Sequence, residues 1–323
     1  MLLIKKNTYL LVLLMLMSGK SFCQQQPLYS QFTFKKYLFN PAYAGSEQVT
    51  SIKLTGYEQW VGFSGAPKFH AISFDGRIFL DTKKPRRNVR KKFKLIKPGS
   101  VGGGATIFNE KAGPLSHTGI AATYSYHIKI DKQQLSLGIS PVLSNLSLKS
   151  SDLEPATNTY DPLLQGGRWI MDFNFGAYFL AKDYYAGYSV HHLTGSVMQW
   201  GGGGNLNYRL RRQHYFMGGY IYSVTRDFDL EPSTLIKIKE GSKIELDLVL
   251  QGTIKRIYWC GLSYKTTHAI SVFGGLNYDR YFFTYAFDYN ISKISRYSYG
   301  SHEIMLAVQL GEVSKRYRWL NTY

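Results

Sequence analysis

Alternation of apolar and polar residues with a period of two runs through most of this chain, in segments of about ten residues. From Ile120 to Asp131 one face carries Ile120, Ala122, Tyr124, Tyr126, Ile128 and Ile130, and the other Ala121, Thr123, Ser125, His127, Lys129 and Asp131. Ile244, Leu246, Leu248 and Leu250 oppose Glu245, Asp247 and Gln251. Tyr281, Phe283, Tyr285, Phe287 and Tyr289 oppose Thr284, Asp288 and Asn290, and Ile304 to Leu310 repeats the theme. Such alternation specifies strands with one apolar face. A soluble sandwich shares the pattern. Two features favour a membrane barrel. The segments approach the roughly 9–11 residues that a tilted membrane strand needs. Their polar faces also carry acids and amides, as a wet lumen allows. The expected fold is therefore all-β, a transmembrane antiparallel β-barrel.

Roughly fourteen segments follow this rule, an even number as bacterial barrels prefer. They begin near Gln48, Ala66, Gly99, Ser116, Gln133, Arg168, Asp183, Arg212, Asp229, Ser242, Arg256, Ala269, Tyr281 and Gly300. An even count puts both termini on one side, which in this class is periplasmic. Short inner turns then fall at Asp131–Lys132, Lys182–Asp183, Arg226–Asp227 and Asp279–Arg280. Long outer loops fall at Ser150–Gly167 and Gly195–Arg211. One connection breaks the rule. Asp81 to Lys97 is long, is threaded into the periplasm, and holds Lys83, Lys84, Arg86, Arg87, Arg90, Lys91, Lys92, Lys94 and Lys97. It reads either as a solvated loop or as an electrostatic dock for an anionic periplasmic partner.

The first residues read as a secretory signal: Lys5 and Lys6, an apolar run from Leu10 to Met17, then Ser21 and Cys23 at the cleavage spacing. The run is too short to span a bilayer as a helix. Phe22 disfavours lipidation of Cys23, so cleavage after Cys23 is expected. Cys260 is then the only cysteine, and an intramolecular disulfide is excluded. The divisions are residues 1–23 as signal peptide, 24–47 as an N-terminal arm, 48–311 as barrel and 312–323 as a tail. The arm ends in Asn40-Pro41-Ala42-Tyr43-Ala44-Gly45, which reads as a turn into the first strand.

No long apolar run follows the signal, which argues against a helical membrane protein. The 26 Tyr and 19 Phe suit a lipid–water boundary instead. The formal charge is +18, and about +15 once Lys5, Lys6 and Lys20 are removed. Export turns that balance away from nucleic acid and toward anionic lipid or cell-wall material.

Six segments resemble the PorP/SprF family of type IX secretion and gliding-associated proteins. They are Leu38 to Ser46, Gln59 to Pro67, Gly103 to Ala105 through Phe108-Asn109 to Gly113-Pro114, Ala186 to Leu193, His214-Tyr215 and Gly219-Tyr220 with Glu231 to Ser233, and Gly300 to Leu306. The combination of Asn40, Pro41, Tyr43 and Gly45, then Gln59, Trp60, Gly62 and Phe63, then His302 and Glu303, carries the resemblance. It implies a protein of the outer membrane of Bacteroidota-type bacteria that serves type IX secretion. The implied partners are outer-membrane lipid, a secreted surface adhesin with a C-terminal sorting domain, and a peptidoglycan-binding periplasmic lipoprotein or other type IX components. The basic connection and the tail with Lys315, Arg316, Arg318 and Trp319 depart from the family pattern.

No catalytic, cofactor or metal site emerges. His191 and His192 are strand neighbours on opposite faces, unsuited to one ion. Gly201 to Gly204 lacks the Gly-Lys-Ser/Thr of a phosphate loop, and Gly102 to Gly104 lies in a strand with no helix to receive a dinucleotide. Gly62-Phe63-Ser64-Gly65 is no nucleophile elbow. The expected function is thus non-enzymatic: an outer-membrane barrel that binds cargo or machinery in type IX secretion, adhesin display or gliding. A passive porin shares the architecture but requires an open lumen. An envelope lipase or protease requires a Ser, His and acid that no spacing here supplies.

Overall fold

The computed structural model describes residues 31–47, 49–78, 96–148, 167–200, 206–267 and 269–310. The signal, the tail and residues 79–95 of the basic connection lie outside the described residues. The strands are β1 Thr50–Glu58, β2 Lys68–Ile78, β3 Ile96–Ala112, β4 Leu115–Ile130, β5 Gln133–Leu148, β6 Arg168–Leu180 and β7 Tyr184–His191. They continue as β8 Val197–Trp200, β9 Leu206–Arg209, β10 Gln213–Tyr220, β11 Tyr222–Ser223, β12 Phe228–Lys239 and β13 Glu245–Ile254. The last are β14 Tyr258–Lys265, β15 Ala269–Tyr278, β16 Tyr281–Asn290 and β17 Ser301–Leu310.

Every pairing is antiparallel, most are between consecutive strands, and the sheet closes on itself. β1 pairs with β17, from Thr50↔Leu310 to Glu58↔His302, and β7 and β12 both pair with β10. β11 continues the line of β10 past Ile221, so the wall is a closed barrel of fourteen strands. Among the described residues closure leaves the barrel sheet without a free edge, the condition for a strand protein to live in lipid.

The alternation read from sequence is the in–out alternation of the wall. Ile52, Leu54, Ile72, Phe74, Leu248, Leu250, Leu262, Val272, Ile304 and Leu306 are exposed on the outer face. Tyr124, Tyr126, Phe283 and Tyr285 share that face, while Leu246 is half-buried. Their neighbours Lys53, Asp75, Asp247, Lys265, Asp288 and Glu303 are buried inside. Exposed Tyr220, Tyr222, Tyr258, Tyr278 and Tyr281 mark one end of the barrel, and Trp169, Tyr289, Tyr297 and Tyr299 the other. Aromatic residues at both borders of an apolar band are the arrangement of an outer-membrane barrel.

The two ends differ. The end where β1 begins and β17 finishes, called here the terminal end, also carries the turns at Asp131–Lys132, Lys182–Asp183, Arg226–Asp227 and Asp279–Arg280. Asp131 and Asp279 adopt φ of 52° and 55°, which aspartate tolerates better than most residues. The opposite, loop end carries the connections from β5 to β6 and from β7 to β10, and residues 149–166 of the first, with the expected loop Ser150–Gly167, and 201–205 of the second lie outside the described residues. Gly195–Arg211, expected as a long loop, contains the hairpin β8–β9. β3 begins at Ile96 rather than Gly99, so the basic connection leaves from an extension of β3 at the terminal end.

Candidate functional site: an arm seated inside the barrel

Asn40–Gly45 forms the turn that its sequence predicts, and the structure places that turn inside the barrel. Residues 31–46 lie inside the lumen, and nearly all are buried. Phe32–Phe34 and Pro41–Tyr43 form 3-10 turns on either side of the four-residue helix α1, Lys36–Phe39. Such short turns leave most backbone groups unpaired. Local caps and the wall supply partners. Asn40 Oδ1 accepts from Ala42 N at 2.9 Å, and Pro41 opens the second turn, where its missing N–H costs nothing.

The arm crosses the strands along a row of small residues. Gly102 faces Ser125, Ser125 faces Gly138, Gly138 faces Gly176, and Gly176 faces Ser189, one residue each from β3, β4, β5, β6 and β7. A Cβ at Gly176 would collide with Asn40 Oδ1, at Gly138 with the Pro41–Ala42 peptide, and at Gly102 with Ala44 O. The serines hold what the glycines admit. Ser189 Oγ donates to Phe39 O at 2.5 Å, and Ser125 Oγ donates to Ala44 O at 2.6 Å. Asn40 Nδ2 donates to Ala177 O at 2.9 Å and Tyr188 O at 3.3 Å. Gly45, at φ 71°, packs on Gly76 and Gly102 as the chain leaves toward β1.

Charge fixes the other half of the arm. Lys35 pairs with Glu303 of β17, with both side chains almost fully buried. Lys36 Nζ lies 3.7 Å from Glu231 and 3.7 Å over the ring of Tyr185, whose hydroxyl donates to the same Glu231 at 3.1 Å. Burial pushes the Lys35 pKa down, and the Glu303 carboxylate opposes that shift. Burial pushes the Tyr37 phenol up to about 12, so it stays neutral and donates to Thr123 at 2.9 Å. Around the arm, Lys265 binds Asp288 at 2.8 Å and Lys53 binds Asp75 at 3.3 Å. Buried acids and bases are paired here, as a low-dielectric interior demands.

The resemblance motifs converge on this arrangement. Asn40, Pro41, Tyr43 and Gly45 are the seated arm, and Glu303 anchors it through Lys35. Trp60 and its neighbours form a second clasp at the loop end: Val61 N donates to Gly300 O and Tyr299 N to Val61 O, both at 2.8 Å. Trp60 N donates to Ser301 Oγ at 3.1 Å, Gln59 N donates to Pro67 O, and Gly62 packs under Tyr299. Phe63 is exposed, and His302 Nδ1 lies 2.7 Å from Tyr285 OH. His191 Nε2 donates to Phe39 O at 2.8 Å, whereas His192, at φ 56°, turns to Asp172 at 3.6 Å, so the two do not share a ligand. Among the described residues no cluster suits a metal ion. Of the basic candidates, only Lys97 falls in a described strand, and Lys83, Lys84, Arg86, Arg87, Arg90, Lys91, Lys92 and Lys94 lie outside the described residues. Lys35, Lys36 and the glycines Gly102, Gly138 and Gly176 escape a reading by motif, and Glu231 and Ser189 fall in resemblance segments that do not announce their contact with the arm. Their signal is a run of small inward positions at one height on successive strands, visible only once strand register is known.

The model of the family described as type IX secretion system membrane protein PorP/SprF matches residues 21–308. The chain belongs to this family. No curated protein matches the PorP/SprF chain in sequence. Among solved structures it is similar to the Ralstonia pickettii toluene transporter TbuX, at 11% identity and a TM-score of 0.46, covering 84% of this chain and 92% of that one. CdiB from Acinetobacter baumannii is similar at 4% identity and a TM-score of 0.39, over 82% of this chain and 60% of that one. A mutant of the Rh. blastica porin is similar at 8% identity and a TM-score of 0.33, over 81% and 99%. At these levels the likeness is one of shape alone. Membership of a membrane-protein family, barrel closure and the apolar outer band together place this PorP/SprF protein in the outer membrane.

Proposed function

We propose that this protein is a non-enzymatic partner-binding barrel of type IX secretion. It holds a surface adhesin with a C-terminal sorting domain, or the secretion and gliding machinery, and does not conduct solutes. The observation that carries this reading is the filled lumen: residues 31–46 cross it, latched by Lys35–Glu303 and Lys36–Glu231 and seated on the Gly/Ser row. A passive porin needs that space open. The enzyme reading finds no support in the Ser136–His127 contact of 2.7 Å, because both side chains are fully buried and the neighbouring group is Gln134.

In this reading the terminal end faces the periplasm, following the usual asymmetry of short inner turns and long outer loops. The basic residues Lys83 to Lys97 then dock an anionic partner there, a peptidoglycan-binding lipoprotein or another type IX component. The test is deletion of the gene in its own host. Loss of one sorting-domain adhesin from the cell surface, with small-solute permeability unchanged, is expected. Normal adhesin display combined with reduced solute uptake would establish the porin instead.

A further inference from the structure

The arm does not fill the barrel to its loop end. Above Leu38 and Phe39 a cavity of about 170 Å³ remains. Its floor is the arm itself, through Tyr37, Leu38, Phe39 and Pro41. The floor is rigidly held, since His191 and Ser189 both donate to Phe39 O and the Phe39 ring meets Tyr215 edge-on at 5.5 Å. One wall is apolar: Phe69, Phe108, Ala121 and Val142, with Ala121 and Val142 opposite each other on β4 and β5. The rim is charged, with Glu110 and Glu245 against Lys239 and Lys243.

We propose that this cup receives one aromatic side chain of a polypeptide presented at the loop end. The inference rests on the partner-binding reading above and names its contact. Size sets the first limit. A cavity on the order of 150 Å³ accepts a benzene ring, so this one takes a single ring and little more. Rim charge sets the second. Both signs are present, which selects neither an anion nor a cation but offers donors and acceptors to peptide N–H and C=O groups. A ring alone satisfies the wall and leaves the rim unused; an aromatic residue within a chain uses both.

The experiment uses the full mature chain in detergent micelles, with labelled Leu38 and Val142 methyl groups read by NMR. The probes are N-acetyl-phenylalaninamide, N-acetyl-glycinamide and toluene. The capped phenylalanine is expected to shift both methyl signals saturably, the capped glycine not at all, and toluene with at least about tenfold weaker affinity. Ala121→Trp fills the cup and is expected to abolish the shifts; Val142→Phe, a milder filling, serves if the first variant fails to fold. Toluene binding as tightly as the capped residue would make this a small-molecule site and overturn the proposal. So would binding that survives a folded cup-filling variant, or no shift at saturating probe. In each case adhesin display by the wild-type protein tests the partner-binding reading separately.

Discussion

Lys35 and Glu303 meet as a buried ion pair although 268 positions separate them in the chain. The pair ties the segment preceding the barrel to the last strand of the wall. Removing one partner strands the other charge in the interior, which typically costs about 3–5 kcal/mol. Glu303→Gln is therefore expected to loosen the arm while the wall, held by its strand ladder, stays closed. Limited proteolysis should cut near Lys35 and Lys36 in the variant and not in the wild type, with the heat-modifiable gel mobility of a folded barrel retained. Lys35→Met combined with Glu303→Gln should recover much of the protection.

The Gly/Ser row makes a steric prediction. Gly176→Val places its side chain where Asn40 lies, and Gly138→Val displaces the Pro41–Ala42 peptide. Each should expel the arm from its track without charge change. Cross-linking between cysteines introduced at Ala42 and Ser140 tests this: efficient linkage in the parent and loss in either valine variant is expected. Equal linkage in both would mean that the arm is not seated on the row.

Leu248 is exposed on the outer face between the aromatic borders. Leu248→Arg should destabilise the barrel in lipid vesicles by about 2–4 kcal/mol if the residue sits at the midplane. Denaturant titration of tryptophan fluorescence reads the difference. A change below the titration error would place this face away from lipid.

The basic connection gives a prediction of a different kind. Replacing Lys83, Lys84, Arg86 and Arg87 with Ser should leave assembly intact and weaken co-purification of an envelope partner. The wild-type contact should itself fade with salt, because exposed charges are screened beyond a Debye length of about 8 Å near physiological ionic strength. Retention of every partner by the variant at every salt concentration would reduce the segment to a solvated loop.

The wall was legible in the sequence because lipid imposes a strict rule on it. Ile120, Tyr124 and Tyr126 had to face one way and Ser125 and His127 the other, and closure demanded an even number of such strands. The arm obeys no period. Lys35 and Lys36 look like solvated cations, and Asn40-Pro41 like any turn, until the barrel supplies Glu303, Glu231 and a glycine floor. Gly138 and Gly176 likewise read as curvature of the wall, since nothing local in β5 or β6 announces that another backbone lies across them. Long-range pairing, rather than local preference, specifies the interior.

The central claim is that the seated arm closes the barrel. Planar-bilayer conductance tests it directly, comparing the wild type with a chain lacking residues 31–46. The wild type is expected to show no steady ohmic pore, and the shortened chain a stable conductance. A steady wild-type pore equal to that of the shortened chain would contradict the account.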